Sequence, residues 1–185
     1  MTMAAEFENE VELFCVKRCI SVAKNGSEHT HPSFVSMLRN RDDAGSKMVR
    51  FQPDGVVLAK DGVYHWEAKH ATNIERDAFE TYMKYVSIGC KVIVFFKHPK
   101  TKKVFCSMAE NIVFVPSEEV VSRYSEQTRH PIIDGWMYPR RGNGGRGYGS
   151  GTPYREVNFD YMCEIVSFYE VIQKTPSAVT PRAKC

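Results

Sequence analysis

The sequence predicts an α/β fold, of the α+β kind with a mixed sheet, whose core runs helix, three strands, helix, strand. Three observations predict it. An Asp61-Gly62 pair separates two apolar-rich runs and indicates a β-hairpin. A Thr72-x-x-Glu75 capping box opens a helical pattern. The run KVIVFF at 91–96 is typical of a strand covered on both faces.

The composition is that of an ordinary globular protein. The chain has 185 residues, 43% of them hydrophobic and 25% charged, which is enough to bury a core. No apolar run approaches the length of a membrane span, and the acidic start is unlike a leader peptide. Six cysteines without a CxxC motif favour reduced thiols. We therefore expect an intracellular protein, nuclear or cytoplasmic, with no membrane partner.

The first part of the chain predicts a helix, a polar stretch and a strand. Residues 3–23 have an apolar stripe at helical spacing, and Asn25-Gly26 would end that helix. Residues 27–45 are polar and loop-like, with a short helical piece around 33–39. Residues 48–51 then form the expected first strand, which leads into the hairpin.

The hairpin predicts a chemical face and a packing face. If Lys60 pairs with Val63 around the turn, Asp54 lies opposite Lys69. Because strand side chains alternate, Asp54, Glu67 and Lys69 then share one face, with His65 beside them. The other face carries the large apolar side chains of Val57, Tyr64 and Trp66.

The helix after the hairpin leads into the buried strand. Apolar side chains at helical spacing continue to Gly89, which would end the helix. A right-handed crossover makes the 91–96 strand parallel to the strand of 63–69. Later segments predict strands at 104–108 and 112–115, a helix capped by Ser117 through about Tyr124, a glycine-arginine loop at 140–151 and an amphipathic helix at 158–173.

The chemical face has the residue types of a metal-dependent hydrolase. Asp54 and Glu67 supply hard oxygen ligands that suit Mg²⁺ or Mn²⁺, and the backbone carbonyl of Ala68 lies close enough to assist. Such ions gain further ligands from water and substrate phosphate. Lys69 is placed to orient a water and to contact the charge that develops on the phosphate.

These residues resemble the motif of the PD-(D/E)XK nuclease superfamily, as Pro53-Asp54 followed by Glu67-Ala68-Lys69. The resemblance covers about residues 3–96 and implies a restriction-endonuclease-like core. It also implies an endonuclease that uses Mg²⁺ or Mn²⁺ to hydrolyse phosphodiester bonds, with DNA rather than RNA as the expected substrate. The expected organisation is a nuclease core at 1–116, a helical and Gly-Arg extension packed on it at 117–174, and a flexible tail at 175–185.

Within the superfamily the pattern is most similar to Holliday-junction resolvases. Those enzymes pair the hairpin with a glutamate on the first helix, for which Glu10 or Glu12 could stand, with a slight preference for Glu12. Their small-residue loop before the motif would be Ala44-Gly45-Ser46. The resemblance implies branched DNA as substrate, and symmetric cleavage of two strands would call for a homodimer. The glutamine-containing helix motif of the exonuclease branches has no counterpart here.

Two other functions stay open at this point. Cap-snatching RNA endonucleases share the hairpin and carry an upstream histidine, for which His29 or His31 could stand. A non-catalytic module that binds nucleic acid or protein could also use the fold. A zinc site formed by Cys15, Cys19 and these two histidines is less favoured than cysteines that line a helix face.

Basic side chains outside the motif are candidates for contacts with nucleic acid phosphates. Those of the glycine-arginine loop also have a neighbouring aromatic ring, Tyr148, as single-strand binders do. The candidates are Lys84, Lys97, Lys102, Lys103, Arg140, Arg141 and Arg146.

Overall fold

A computed structural model describes residues 3–18, 20–25, 37, 41, 43–59, 62–124, 131–138 and 152–167. The helices are α1 (Met3–Val16), α2 (Ala44–Arg50), α3 (Arg76–Ser87) and α4 (Ser117–Ser122), with 3-10 turns at Ala109–Asn111 and Phe159–Tyr161. The strands are β1 (Ser21–Lys24), β2 (Gly55–Ala59), β3 (Gly62–Lys69), β4 (Asn73–Glu75), β5 (Lys91–Lys97), β6 (Val104–Met108), β7 (Ile132–Ile133), β8 (Trp136–Met137), β9 (Tyr154–Glu156) and β10 (Cys163–Glu164). Among these helices, none is long and apolar enough to cross a membrane.

The strands form two sheets. The main sheet has the order β1-β2-β3-β5-β6-β10 and is mixed, because β3 and β5 are parallel while the other pairs are antiparallel. The second sheet has the order β4-β9-β8-β7. The predicted α+β class is confirmed, and so is the core order of helix, three strands, helix and strand, into which α2 and the short strand β4 are inserted.

The hairpin packs with its predicted face toward α1. Tyr64 and Trp66 of β3 lie in one core cluster with Phe7 and Val11 of α1. The opposite face of the sheet lies under α3, whose Tyr82 packs among the apolar residues of β5. Strand β5 is buried throughout its central residues, as a strand covered on both faces should be.

The predicted start of the sheet was wrong. Helix α1 ends at Val16, and β1 occupies part of the segment predicted to be helical. Residues 48–51 end a helix instead of forming a strand. Asp43 begins that helix, because its Oδ1 accepts a hydrogen bond from the backbone N–H of Ser46 at 2.9 Å. The small residues Ala44-Gly45-Ser46 therefore form the first turn of α2 and not a loop.

The hairpin register differs by two positions from the predicted one. Ala59 pairs with Gly62, and Gly55 pairs with Trp66. Because Gly62 pairs with Ala59, it belongs to the strand and not to the centre of the turn, and its φ of +135 is a conformation that glycine tolerates. Because a shift of two positions leaves every side chain on its original face, the predicted separation into two faces survives.

Tertiary pairing replaces the predicted start of α3. Residues 73–75 form β4, which pairs with β9, and Glu75 at the helix start makes no side-chain cap hydrogen bond. Residues 112–115 form no strand, only a bridge between Phe114 and Val157. Similarly, Ser117 does not cap α4, since its hydroxyl donates to the Gly135 carbonyl.

The last predicted helix is only partly matched. Residues 159–161 form a 3-10 turn and 163–164 form β10, where a helix over 158–173 was predicted. Strand β10 closes the main sheet beside β6, and β9 joins the second sheet. The predicted helical piece at 33–39 lies outside the described residues except for Met37, and the glycine-arginine loop lies outside them entirely.

Candidate metal and catalytic site

Strand β1 fixes the backbone of the Pro53-Asp54 pair. The backbone N–H of Asn25 donates to the Asp54 carbonyl at 2.7 Å, and the Asn25 side-chain amide donates to the Pro53 carbonyl at 3.3 Å. A Cβ on the following residue, Gly55, would lie 2.2 Å from the Ala23 carbonyl oxygen and 2.5 Å from Trp66 Nε1. Only glycine therefore lets β1 and β3 approach this position so closely.

Asp54, Glu67 and Lys69 meet where β2 begins and β3 ends. Asp54 Oδ2 accepts a hydrogen bond from the backbone N–H of Ala68 at 2.7 Å. Lys69 Nζ lies 2.6 Å from Glu67 Oε1. The Glu67 side chain is 8% exposed and the Lys69 side chain 25% exposed, so this ion pair is reached by solvent mainly from the lysine side.

Burial and like charge both act on Asp54. Burial and the neighbouring Glu67 carboxylate raise the pKa of Asp54 from 3.8 to about 8, against the opposing hydrogen bond from Ala68. Burial would lower the pKa of the Lys69 ammonium, but the negative charge of Glu67, reinforced by Asp54 and Glu75, outweighs it and leaves that pKa raised. At this site the acidic side chains of Asp54, Glu67 and Glu75 therefore outnumber the single positive charge of Lys69.

Tyr82 lies on α3, the helix that covers this face of the sheet, and contacts Glu67. Its side chain is 1% exposed, and its hydroxyl donates a hydrogen bond to the Glu67 carboxylate. Burial, followed by the charge of Glu67, raises the pKa of this phenol, so it stays a donor. In the sequence Tyr82 is only one apolar member of a helical stripe, and nothing in its spacing distinguishes it from a core residue.

The glutamate of α1 that interacts with Asp54 is Glu8, whereas the sequence suggested Glu10 or Glu12. Glu10 pairs with Lys97, and Glu12 lies 3.3 Å from Lys24. The charge of Glu8 contributes to the raised pKa of Asp54, so this carboxylate is close enough to interact with it. The sequence feature that could have indicated Glu8 is its position next to Phe7, which is fully buried in the apolar stripe of α1.

The residues present fit a hard divalent cation. Within the described part of the chain, no three or more His, Cys, Asp and Glu side chains form a metal-binding group. Mg²⁺ is nevertheless usually bound by one or two carboxylates together with water and substrate phosphate. Asp54 and Glu67 are such a pair, and their mutual repulsion, visible in the raised pKa of Asp54, is what a bound cation would relieve.

The predicted phosphate-binding lysines lie at two different edges. Because β3 and β5 are parallel, Lys97 ends its strand at the edge where Lys69 ends, and Lys102 and Lys103 follow in the next turn. Lys103 Nζ lies 2.6 Å from Glu164 Oε1. Lys84 lies in the last turn of α3, at the opposite edge. The other three candidates, Arg140, Arg141 and Arg146, lie outside the described residues.

The histidine and zinc alternatives rest mostly on residues outside the described part of the chain. His65 packs against Tyr85 with ring centroids 5.3 Å apart, and burial lowers its pKa. Cys15 is fully buried, and burial raises its pKa to about 11, as expected for a core thiol. Cys19, His29 and His31 lie outside the described residues.

The chain topology can be compared with the core order expected from the sequence. The motif lies on the β2–β3 hairpin, and α3 crosses from β3 to the parallel strand β5. This is the core topology that the resemblance to PD-(D/E)XK nucleases implies, with α2 and β4 added to it. The acidic pair and its lysine lie at the edge where β3 ends, next to the start of α3.

No protein-family model and no curated protein matches the sequence. Two similar solved structures are nucleases. A Holliday junction resolvase from the archaeon Archaeoglobus fulgidus is 15% identical, with a TM-score of 0.41 over 58% of this chain and 77% of the resolvase. D212, a nuclease from a fusselovirus, is 11% identical, with a TM-score of 0.40 over 94% of both chains. These similarities are weak, and the side chains of Asp54, Glu67 and Lys69 are the stronger guide to function.

Proposed function

We propose that this protein is a Mg²⁺- or Mn²⁺-dependent endonuclease that hydrolyses phosphodiester bonds in DNA, with branched DNA as the first substrate to test. The observation that carries the proposal is the meeting of Asp54, Glu67 and Lys69 at one sheet edge. Two carboxylates and one lysine at a partly open edge suit hydrolysis of a phosphate ester.

Each residue has a separate role in this proposal. Asp54 and Glu67 hold the cation, with the Ala68 carbonyl as a further ligand. When bound, the cation lowers the pKa of a water molecule and offsets negative charge on the phosphate. Lys69 orients the attacking water and donates to a phosphate oxygen. Glu8 takes the position on the first helix that the sequence assigned to Glu10 or Glu12.

The substrate lies along the edge where β3 and β5 end. We define the basic turn as residues 97–103, which contains four lysines. Lys100 and Lys102 are exposed there, while Lys97 and Lys103 have acidic partners that phosphate would replace. Arg140, Arg141 and Arg146 add further phosphate contacts in the proposal. A homodimer would present two such edges to two strands of a junction.

A substrate panel tests the proposal. Purified protein is incubated with labelled linear duplex, single-stranded and four-way DNA and with RNA, in Mg²⁺, in Mn²⁺ or in EDTA. We expect internal cleavage that needs metal and falls at least ~100-fold in Asp54→Asn and Lys69→Ala. Glu110→Gln, an exposed acid on the turn after β6, is the matched control and should cleave normally. Cleavage in EDTA, or full activity of Asp54→Asn, would refute the proposal.

Metal titration separates an enzyme from a binding module. Calorimetric titration with Mn²⁺ should give a binding signal that Glu67→Gln removes. A protein that only binds nucleic acid would bind the panel without cleaving it and would take up no Mn²⁺ at this pair. Cleavage of RNA in preference to every DNA would replace the proposed substrate and leave the chemistry in place.

A further inference from the structure

Two cysteines face each other across the last two strands of the main sheet. Cys106 of β6 and Cys163 of β10 are direct partners in the antiparallel register. Both are free thiols; Cys106 is 4% exposed, whereas Cys163 is exposed. A buried thiol beside a reachable one is the arrangement of a pair that an external disulfide can oxidise in two steps.

The two thiols lie on the same side of the sheet. Directly opposed residues in antiparallel strands share a face. Burial raises the pKa of Cys106, and the charge of Cys163 raises it further, so the sulfur atoms are close enough to interact.

Strand geometry permits a bond between them. Cα atoms of directly opposed antiparallel residues are about 4.5–5.5 Å apart, within the range of about 4.4–6.8 Å that disulfides span. We propose that Cys106 and Cys163 are a redox modification site that closes to a cross-strand disulfide when the protein meets glutathione disulfide. This proposal is independent of the nuclease function.

The reaction balances in two exchanges. The Cys163 thiolate attacks one sulfur of glutathione disulfide, forming a mixed disulfide and releasing one glutathione thiolate, which takes up a proton. The Cys106 thiolate then attacks the Cys163 sulfur and displaces the second glutathione. Two protein thiols are oxidised to one disulfide, and one glutathione disulfide is reduced to two glutathione molecules.

The bond would fix a short edge strand. Strand β10 has only two residues, and its Glu164 pairs with Lys103 of the basic turn at 2.6 Å. Oxidation would hold Glu164 in place beside that lysine. Reduction would leave β10 attached by backbone hydrogen bonds and this exposed ion pair, which is a weak attachment.

Peptide mapping tests the proposal on the full chain. The protein is incubated with glutathione disulfide, its remaining thiols are alkylated, and it is digested with trypsin. Cys106 lies in the tryptic peptide 104–123 and Cys163 in 156–174, with no other cysteine in either. We expect the two peptides linked, an intact mass about 2 Da lower, reversal by dithiothreitol, and a Tm higher by roughly 5–10 °C.

Single variants make the result specific. Cys163→Ser, at the exposed position, should leave Cys106 available for alkylation in the unfolded digest and abolish the rise in Tm. Cys90→Ser, whose cysteine lies in another tryptic peptide, should still form the linked pair. A stable glutathione adduct on Cys163 beside an alkylated Cys106, a different peptide pair, or no modification would each overturn the proposal.

Discussion

Glu67 is held by donors from two elements, Lys69 on its own strand and Tyr82 on the helix above. Replacing Tyr82 with Phe removes one hydroxyl and leaves the ring that fills the core. We expect Tyr82→Phe to weaken Mn²⁺ binding roughly five- to tenfold, because the carboxylate loses a partner that orients it. Calorimetric titration at one fixed pH measures this change.

Tyr85→Phe is the matched control for that variant. Tyr85 lies on the same helix, one turn later, and packs against His65. It should bind Mn²⁺ as the wild type does. If Tyr82→Phe lowers the Tm but binds Mn²⁺ with unchanged affinity, Tyr82 is a packing residue and has no effect on the metal site.

The titration of Asp54 makes the metal-free protein less stable at alkaline pH. The carboxyl has an ordinary pKa of 3.8 and a folded pKa of about 8. Between these values the folded state binds more protons than the unfolded state, so its stability falls as the pH rises from about 4 through about 8. Asp54→Asn cannot titrate and should show a flatter dependence.

Urea unfolding in EDTA across pH 4.5 to 9, on wild type and on Asp54→Asn, measures this difference directly. Parallel curves for the two proteins would contradict the raised pKa. Saturating Mn²⁺ should restore the stability that wild type loses near pH 8, because the cation replaces the proton between the two carboxylates.

The sequence predicted that the three motif residues share one face, but it did not predict which side chains of other elements lie near them. Asp54, Glu67 and Lys69 were found because strand alternation decides which face a side chain takes, whatever the register. Tyr82 and Glu8 come near these residues only because α3 and α1 pack on the sheet. A helical repeat predicts which side of a helix is buried, but not which polar atom it meets.

At the scale of elements, Gly55 controls how closely β1 approaches the hairpin. A Cβ there would lie 2.2 Å from the Ala23 carbonyl oxygen, which is backbone and cannot move aside. We expect Gly55→Ala to lower the free energy of unfolding by about 3 kcal/mol. It should also displace Asp54 and weaken Mn²⁺ binding.

Gly45→Ala provides the comparison in chemical denaturation. Gly45 lies in the first turn of α2, where a Cβ would be 3.4 Å from Asp43 Oδ1, an ordinary contact. Alanine should be neutral or stabilising by up to about 1 kcal/mol. If the two substitutions lower the free energy of unfolding equally, the close approach of β1 to Gly55 is not the cause of the destabilisation.

Elements defined by local pattern were predictable, and those defined by distant partners were not. Strand β5 was predicted from its continuous apolar run, and its central residues are buried as expected. Strand β4 exists because β9, about eighty residues later, pairs with it and overrides a helix-capping sequence. Likewise, residues 48–50 belong to α2, with Phe51 as its C-cap, because the cap at Asp43 starts a helix that runs through them.

At the scale of the whole molecule, the basic turn extends the edge where Asp54, Glu67 and Lys69 meet. Its exposed Lys100 and Lys102 follow the strand that runs parallel to β3. We expect the double variant Lys100→Ala/Lys102→Ala to bind DNA more weakly and to reduce the slope of log K against log salt by about 1 to 2. Fluorescence anisotropy at several salt concentrations measures the slope.

Lys84→Ala tests whether position on the molecule matters. Lys84 is exposed in the last turn of α3, at the edge away from Lys69. Its removal should leave the salt slope close to that of wild type. An equal loss in both variants would indicate binding spread over the surface and would contradict a substrate path along the edge that contains Lys69.

The pairing of β4 with β9 also affects the order in which the chain can fold during synthesis. The backbone N–H of Arg76, the first residue of α3, donates to the Pro153 carbonyl at 2.8 Å, and β4 pairs with β9 beside it. A ribosome delivers β4 long before β9. The strand β4, which leads into α3, therefore keeps an unpaired edge until β9 has emerged and paired with it.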